Sequence, residues 1–190
     1  MKILAVLFPG FTAIDLVGPV NAWGLMPGVE FQTAWKVVGP VQTDVGLQVV
    51  ATHSFADCWH APDVLFVPGG GRGTFAALQD DELLDAIAAI GVRAGWVTSV
   101  CTGALVLHGS GHARGKRVTT YWNFVQPLRA RGEVTVVDDQ RWVRDGNLVT
   151  AAGVSAGIDM SLWLVGEMWG ADFARKVQKH IEYYPAPPYT

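Results

Sequence analysis

Trp96-Val97-Thr98-Ser99-Val100-Cys101-Thr102-Gly103-Ala104-Leu105-Val106-Leu107 passes from a strand-like apolar run to a helix-like one across a single cysteine. Residues 96–100 are branched or aromatic for the most part and read as a short strand buried on both faces. The residues after Gly103 read as a short helix ending near Gly109. Cys101 therefore sits on the sharp turn between them, at the carboxyl end of the strand, where open α/β sheets hold their ligands. A helix N-terminus beside a thiol favours the thiolate, which predicts a lowered pKa for Cys101. A buried cysteine also packs as a small hydrophobe, and this segment alone leaves both readings open.

Two more runs of the same character, residues 3–8 and Val64–Val67, are each bounded by Pro or Gly. Between the second run and residues 96–100, the stretch 80–93 starts with acids and sets Leu83, Ile87 and Ile90 on one helical face. Strand, helix, strand in that order predicts an α/β chain with a parallel sheet and a right-handed crossover. Residues 31–38 and 47–51 read as two further strands, turning through Asp44-Val45-Gly46. Trp142-Val143 and Leu148-Val149 flank Asp145-Gly146, a hairpin signal. Ser155 predicts the cap of a helix with an apolar stripe of Ile158, Leu162, Val165 and Trp169. A last helix is expected from Ala171 to about His180, and from about residue 185 Pro185-Ala186-Pro187-Pro188 reads as an extended tail.

The chain has 190 residues and is 50% hydrophobic, enough for one domain over residues 1–190 with a sizeable core. Its net charge of −3 gives no electrostatic reason to bind nucleic acid or an anionic membrane. The dense basic cluster Arg114, Lys116 and Arg117 reads as a solvated loop. Two isolated cysteines, Cys58 and Cys101, make no disulfide framework and point to a reducing compartment, the cytoplasm. Residues 3–8 are too short to span a bilayer, and the uncharged stretch 95–111 is broken by polar residues and glycines. Cys58 reads as a packing residue.

Two other motifs carry chemistry. Val67-Pro68-Gly69-Gly70-Gly71 follows a buried strand directly, and consecutive glycines there allow a sharp turn with N–H groups exposed to a ligand. A plain tight turn would use the same residues. With Cys101 nearby, the N–H of Gly70 or Gly71 and that of Thr102 are placed to converge on an oxyanion. Asp15, in Ile14-Asp15-Leu16-Val17-Gly18-Pro19, is an acid flanked by apolar residues at a strand end. It reads either as a partly buried functional carboxyl or as a first-turn helix residue.

In this order the motifs resemble the DJ-1/PfpI superfamily, and within it the isonitrile (isocyanide) hydratases and the ligand domains of amidase-like AraC regulators. The matching segments include Leu7-Phe8-Pro9, Leu16-Val17-Gly18-Pro19, Pro68-Gly69-Gly70, Thr98-Ser99-Val100-Cys101-Thr102-Gly103, Arg144-Asp145-Gly146-Asn147, Ser155-Ala156-Gly157-Ile158-Asp159 and Tyr183-Tyr184-Pro185. The resemblance implies a flavodoxin-like three-layer α/β sandwich with a mostly parallel central sheet, and a homodimer. It makes Cys101 the nucleophile and Asp15 its acidic partner. Thr102 supplies an N–H and a hydroxyl near the reacting atom, and Gly153-Val154 belongs to the segment closing the pocket. Many relatives carry Thr-Thr-His-Trp where this chain reads Thr119-Thr120-Tyr121-Trp122, and none of the 5 histidines fills that place. A Cys-His amidase is thereby disfavoured for want of its base, whereas a thiol–carboxyl hydratase loses less. Tyr121 is expected to donate a hydrogen bond in the pocket.

The expected activity is hydration of a small-molecule isocyanide to an N-substituted formamide, with no metal and no organic cofactor. Repulsion between two negative groups predicts a raised pKa for Asp15, suiting it to act as an acid. Two rivals use the same residues. One is a thiol redox sensor oxidised at Cys101. The other is a ligand-binding module like those of the AraC regulators, whose helix-turn-helix region has no room here before Thr190.

Overall fold

The computed structural model describes residues 1–185, so residues 186–188 of the expected extended tail lie outside the described residues. The chain begins β1 (Lys2–Val6), α1 (Ala13–Trp23), β2 (Glu30–Trp35), β3 (Gly39–Gln42), β4 (Gln48–Ala51), β5 (His53–Ser54) and β6 (Val64–Val67). It continues through α2 (Gly71–Ala77), α3 (Asp81–Gly91), β7 (Trp96–Ser99), α4 (Gly103–Gly109), β8 (Lys116–Val118), α5 (Val125–Ala130) and β9 (Val134–Val136). Last come β10 (Trp142–Asp145), β11 (Leu148–Ala151), α6 (Ala156–Trp169) and α7 (Ala171–His180).

Seven strands form one sheet in the order β10-β11-β7-β6-β1-β2-β5, parallel throughout except for the β10–β11 hairpin. The unbroken apolar runs explain this arrangement, because every residue of β6 and β11 is buried and so needs cover on both faces. Helices α1, α6 and α7 pack together, as do α2, α3 and α4, giving the expected three-layer flavodoxin-like sandwich. Helix α3 keeps the sequence logic intact: Leu83, Ile87 and Ile90 are buried, and the Asp80 carboxylate accepts the Leu83 N–H at 3.2 Å. Among the described residues no helix is long and apolar enough to cross a membrane.

Four local expectations need correction. The run 31–38 does not form one strand: β2 ends at Trp35, and a separate β3 pairs antiparallel with β4 across the turn. Gly39, with φ 142, takes the backbone out of the line of β2. In α6 the buried stripe is Gly157, Met160, Ser161, Leu164 and Val165; Ile158, Leu162 and Trp169 are half-buried, so only Val165 of the expected four is fully covered. Ser155 makes no side-chain cap; its hydroxyl accepts from Arg141 Nη2 at 3.1 Å. Lys116 and Arg117 lie in β8 rather than a loop, with Lys116 Nζ 3.6 Å from Asp145.

The first strand also sets where a site can form. From β1 the chain leaves toward β2 on one side and returns to β6 on the other, so β1 and β6 flank the point where strand order reverses. The loops after β1 and β6 open at that point, beside the end of β7.

Candidate active site

Three loops meet around Cys101. Thr12 leads into α1, whose first turn holds Asp15 with a side chain 0% exposed. The Thr12 N–H donates to the Gly69 carbonyl at 2.8 Å, and the Gly69 N–H donates to Asp15 Oδ2 at 3.1 Å. The loop after β6 is thereby tied to the loop after β1. The third loop is the elbow, where Cys101 has φ 56, a left-handed backbone that is costly for any residue but glycine.

Several contacts over-determine that turn. The Cys101 N–H donates to the carbonyls of Ala151 at 3.1 Å and Ala152 at 2.9 Å, and the Thr120 hydroxyl donates to the Cys101 carbonyl at 2.8 Å. Gly69 approaches so closely that a Cβ there would lie 2.6 Å from Thr102 N and 2.8 Å from Cys101 Cβ. Glycine at 69 is required by this approach, since the atoms it would strike are backbone or Cβ.

The site's electrostatics follow from burial. Cys101 is 5% exposed. Burial and the Asp15 charge push its thiol up to about 12, against the N–H groups of Thr102 and Val154 and the Thr102 hydroxyl, which favour the thiolate. The lowered pKa expected from the helix N-terminus is thus overturned by desolvation. Asp15 rises to about 7, the direction expected, but through burial and not through repulsion from the thiolate: the Gly69 N–H and the Cys101 thiol both lower it, and Asp44 pushes it up. Asp15 Oδ1 has no N–H or O–H partner among the described residues. Each group is a cause of the other's shift, so the two titrate as a coupled pair.

The structure sorts the expected oxyanion donors. The Gly70 N–H is engaged, donating to Thr102 Oγ1 at 2.9 Å, and so is not free to face an anion at Cys101. Gly71 opens α2 on the exposed side. The N–H groups beside the sulfur are those of Thr102 and Val154. Val154 has φ 48, a conformation that a β-branched residue rarely adopts. It follows Gly153, where a Cβ would meet the Tyr121 ring at 2.5 Å. Tyr121, Trp122, Gly153 and Val154 line a cavity of about 610 Å3 with Thr120 and Ala152, both bonded to the Cys101 backbone. Cys101, Asp15 and Thr102 are brought together, with Gly70 bonded to Thr102; Tyr121 and Gly153 line the neighbouring cavity, whose lining includes Val154 but none of those three residues. The resemblance had placed Gly153-Val154 in the segment closing the pocket; that the Val154 N–H stands beside the sulfur had no signal in the sequence.

The remaining candidates are accounted for elsewhere. The buried Cys58 thiol donates to the Phe55 carbonyl at 3.5 Å. His108 is held between Arg131, whose Nε donates to Nδ1 at 3.1 Å, and the Gly132 carbonyl, 2.9 Å from Nε2. Among the described residues no group of three or more His, Cys, Asp or Glu side chains is placed to hold a metal ion.

Comparison with known proteins gives a consistent picture. The DJ-1/PfpI family profile matches residues 1–167. The chain is 43% identical over 189 residues to an isonitrile hydratase of Pseudomonas putida, covering 100% of this chain and 81% of that protein. It is 29% identical over 186 residues to the protein dj-1beta of Drosophila melanogaster, covering 94% of this chain and 95% of that one. The crystal structure of a ThiJ/PfpI family protein from Pseudomonas syringae superposes with a TM-score of 0.94 at 39% identity, covering 100% of this chain and 77% of the other.

Proposed function

The chain belongs to the DJ-1/PfpI family, and from that premise we propose that it is a cysteine-dependent hydratase converting an isocyanide to an N-substituted formamide. The observation that carries this reading is the buried Asp15 carboxyl beside the buried Cys101 thiol, in a chain without a histidine at the elbow. The full-length likeness to an isonitrile hydratase supports it.

The reacting form carries its proton on Asp15 and its charge on sulfur; the N–H groups of Thr102 and Val154 favour that charge, against the burial that otherwise holds the proton on the thiol. The Cys101 thiolate adds its electron pair to the terminal carbon of R–N≡C while Asp15 gives its proton to that carbon. The product is a thioimidate, R–N=CH–S–Cys101, with Asp15 now a carboxylate. Water then adds to the same carbon, and Asp15 relays one of its protons to nitrogen. Asp15 finally takes the hydroxyl proton as the C–S bond breaks. R–NH–CHO leaves, and the thiolate and the protonated carboxyl are restored. The cavity lined by Tyr121, Trp122 and Gly153 receives the R group, and two such chains pair as a homodimer.

The redox reading of the same thiol draws on the family at large, but a peroxide sensor calls for an accessible low-pKa thiolate. A thiol only 5% exposed weighs against it; the raised thiol pKa bears on both readings alike, since each reacts through the thiolate. The test is formamide production from a simple aryl isocyanide. Cys101→Ala abolishes it and Asp15→Asn lowers it by about a hundredfold or more; full activity in Cys101→Ala would sink the reading.

A further inference from the structure

The two-stranded sheet β3–β4 stands outside the main sheet, and no step above uses it. Its turn runs beside the loop that leads into α1. The Gly10 N–H donates to the Gln42 carbonyl at 2.7 Å, the Asp44 N–H donates to the Phe11 carbonyl at 2.9 Å, and Phe11 pairs with Thr43 in a parallel bridge. This backbone pairing sets Asp44 against Thr12, whose hydroxyl donates to Asp44 Oδ2 at 2.7 Å.

Thr12-Ala13-Ile14-Asp15 has the spacing of a capping box, in which the first hydroxyl accepts the fourth N–H and the fourth carboxyl accepts the first N–H. Thr12 is the N-cap residue of α1 and has the extended backbone of one, with φ −77 and ψ 119, yet its side chain makes no cap. Every bond of the box is replaced by another. The Thr12 hydroxyl goes to Asp44, and the Asp15 N–H donates to the Thr12 carbonyl at 3.1 Å. The Thr12 N–H and Asp15 Oδ2 are both taken by Gly69. Asp15 Oδ1 is left without a partner among the described residues.

We infer that Asp44 is a positioning residue: by holding the Thr12 hydroxyl away from the first turn of α1, it keeps this box open and the Asp15 carboxyl in the site. A hydrogen bond to a carboxylate is stronger than a neutral cap bond, so the hydroxyl stays with Asp44 while that carboxylate is present. Without it the hydroxyl turns to the Asp15 N–H, and the reciprocal bond draws the carboxyl to the Thr12 N–H. Closing the box also breaks both ties between Gly69 and the start of α1, and Gly69 is the residue that approaches Cys101 and Thr102 so closely. Asp44 itself is exposed and acts through Thr12.

This rests on Asp15 being the acid of the proposed hydratase, so the first measurement needs no substrate. Carbon-13 NMR follows the Asp15 carboxyl through a pH series, its signal assigned by its loss in Asp15→Asn. The wild-type midpoint lies near 7. Asp44→Ala is expected to lower it by about one unit or more, because a carboxyl that accepts the Thr12 N–H outside its niche is held ionised. Asp44→Asn keeps an acceptor for the Thr12 hydroxyl and loses only the charge, the smallest of the influences on Asp15, so its midpoint stays within about half a unit of wild type. With a simple aryl isocyanide, Asp44→Ala lowers kcat about tenfold and leaves KM within about twofold, while Asp44→Asn keeps most of kcat. Asp44→Ala adds nothing to Thr12→Val, because its effect passes through the Thr12 hydroxyl. An unchanged midpoint in Asp44→Ala, an Asp44→Asn midpoint as low as that of Asp44→Ala, or additive losses of kcat with Thr12→Val would overturn the inference. Should Asp44→Ala not fold, Thr12→Val breaks the same contact from its other end and carries the comparison. Absence of turnover in wild type defeats the hydratase, while the carboxyl midpoints still decide Asp44.

Discussion

At the scale of single residues, Asp15 gives up stability for chemistry. Its carboxyl titrates near 7 in the folded chain and near 3.8 when unfolded, because burial disfavours the charge. As pH rises between those values the unfolded chain releases the proton first, so folding stability falls across that window and stays low above it. Asp15→Asn removes the titration while keeping an acceptor for the Gly69 N–H. The variant is expected to be more stable than wild type at pH 8, by on the order of 2–4 kcal/mol, with the gap closing below pH 4. Urea unfolding at the two pH values checks this; equal stability at pH 8 would mean that the carboxyl is not desolvated as described. Cys101 was legible because it directly follows a strand whose apolar run announces it, and Asp15 because its segment opens the helix after the first strand; the resemblance then decided the role of each. Val154 was reached only as part of the closing segment that the resemblance implied; its N–H direction, like the 2.7 Å hydroxyl pair of Thr74 and Thr102, is a tertiary fact. The lowered thiol pKa failed for a related reason: local sequence reports the helix end, but not how completely the site is desolvated.

At the scale of elements, the site depends on how α6 rests on the sheet. Its first turn follows Val154 directly, and at Gly157 a Cβ would lie 2.8 Å from Val100 Cγ2 and 3.2 Å from Pro19 Cγ. Helix α6 thus touches the residue before the nucleophile and the helix that carries Asp15. This close approach also explains the misread stripe. Periodicity ranked the large residues Ile158, Leu162 and Trp169, whereas the innermost line runs through small ones, Gly157 and Ser161, that let the helix come near. Strand and helix order was readable because buried strands and the Asp80-capped α3 are local patterns; β3 was missed because one glycine redirected the chain. Gly157→Val forces α6 outward, and an overpacked contact of this kind costs about 1–3 kcal/mol. Gly166→Ala on the same helix meets Ala174 Cβ at an ordinary 3.6 Å and should be neutral or stabilising by up to about 1 kcal/mol. Thermal unfolding of the two variants gives the contrast, and turnover should fall only in the first, as Val154 is carried away from the sulfur.

At the scale of the whole molecule, α1 faces two ways. Asp15, Leu16, Pro19, Ala22 and Trp23 are buried, while Ile14 and Val17, three residues apart on the outer side, are 46% and 47% exposed. Covering this outer pair is the part that the proposed homodimer would give to α1. The chain of 20.5 kDa should therefore sediment at about twice that mass. Placing a charge at the centre of the outer face, in Ile14→Lys, should return it to the monomer. Because residue 14 adjoins the carboxyl, loss of pairing should also loosen the first turn of α1 and lower turnover, and more so as the protein is diluted through its dissociation range. Analytical ultracentrifugation of wild type and Ile14→Lys, with turnover measured on the same dilutions, tests both halves. A wild-type monomer that turns over substrate equally at every dilution would remove the dimer from the account and leave Asp15 held by its own chain alone.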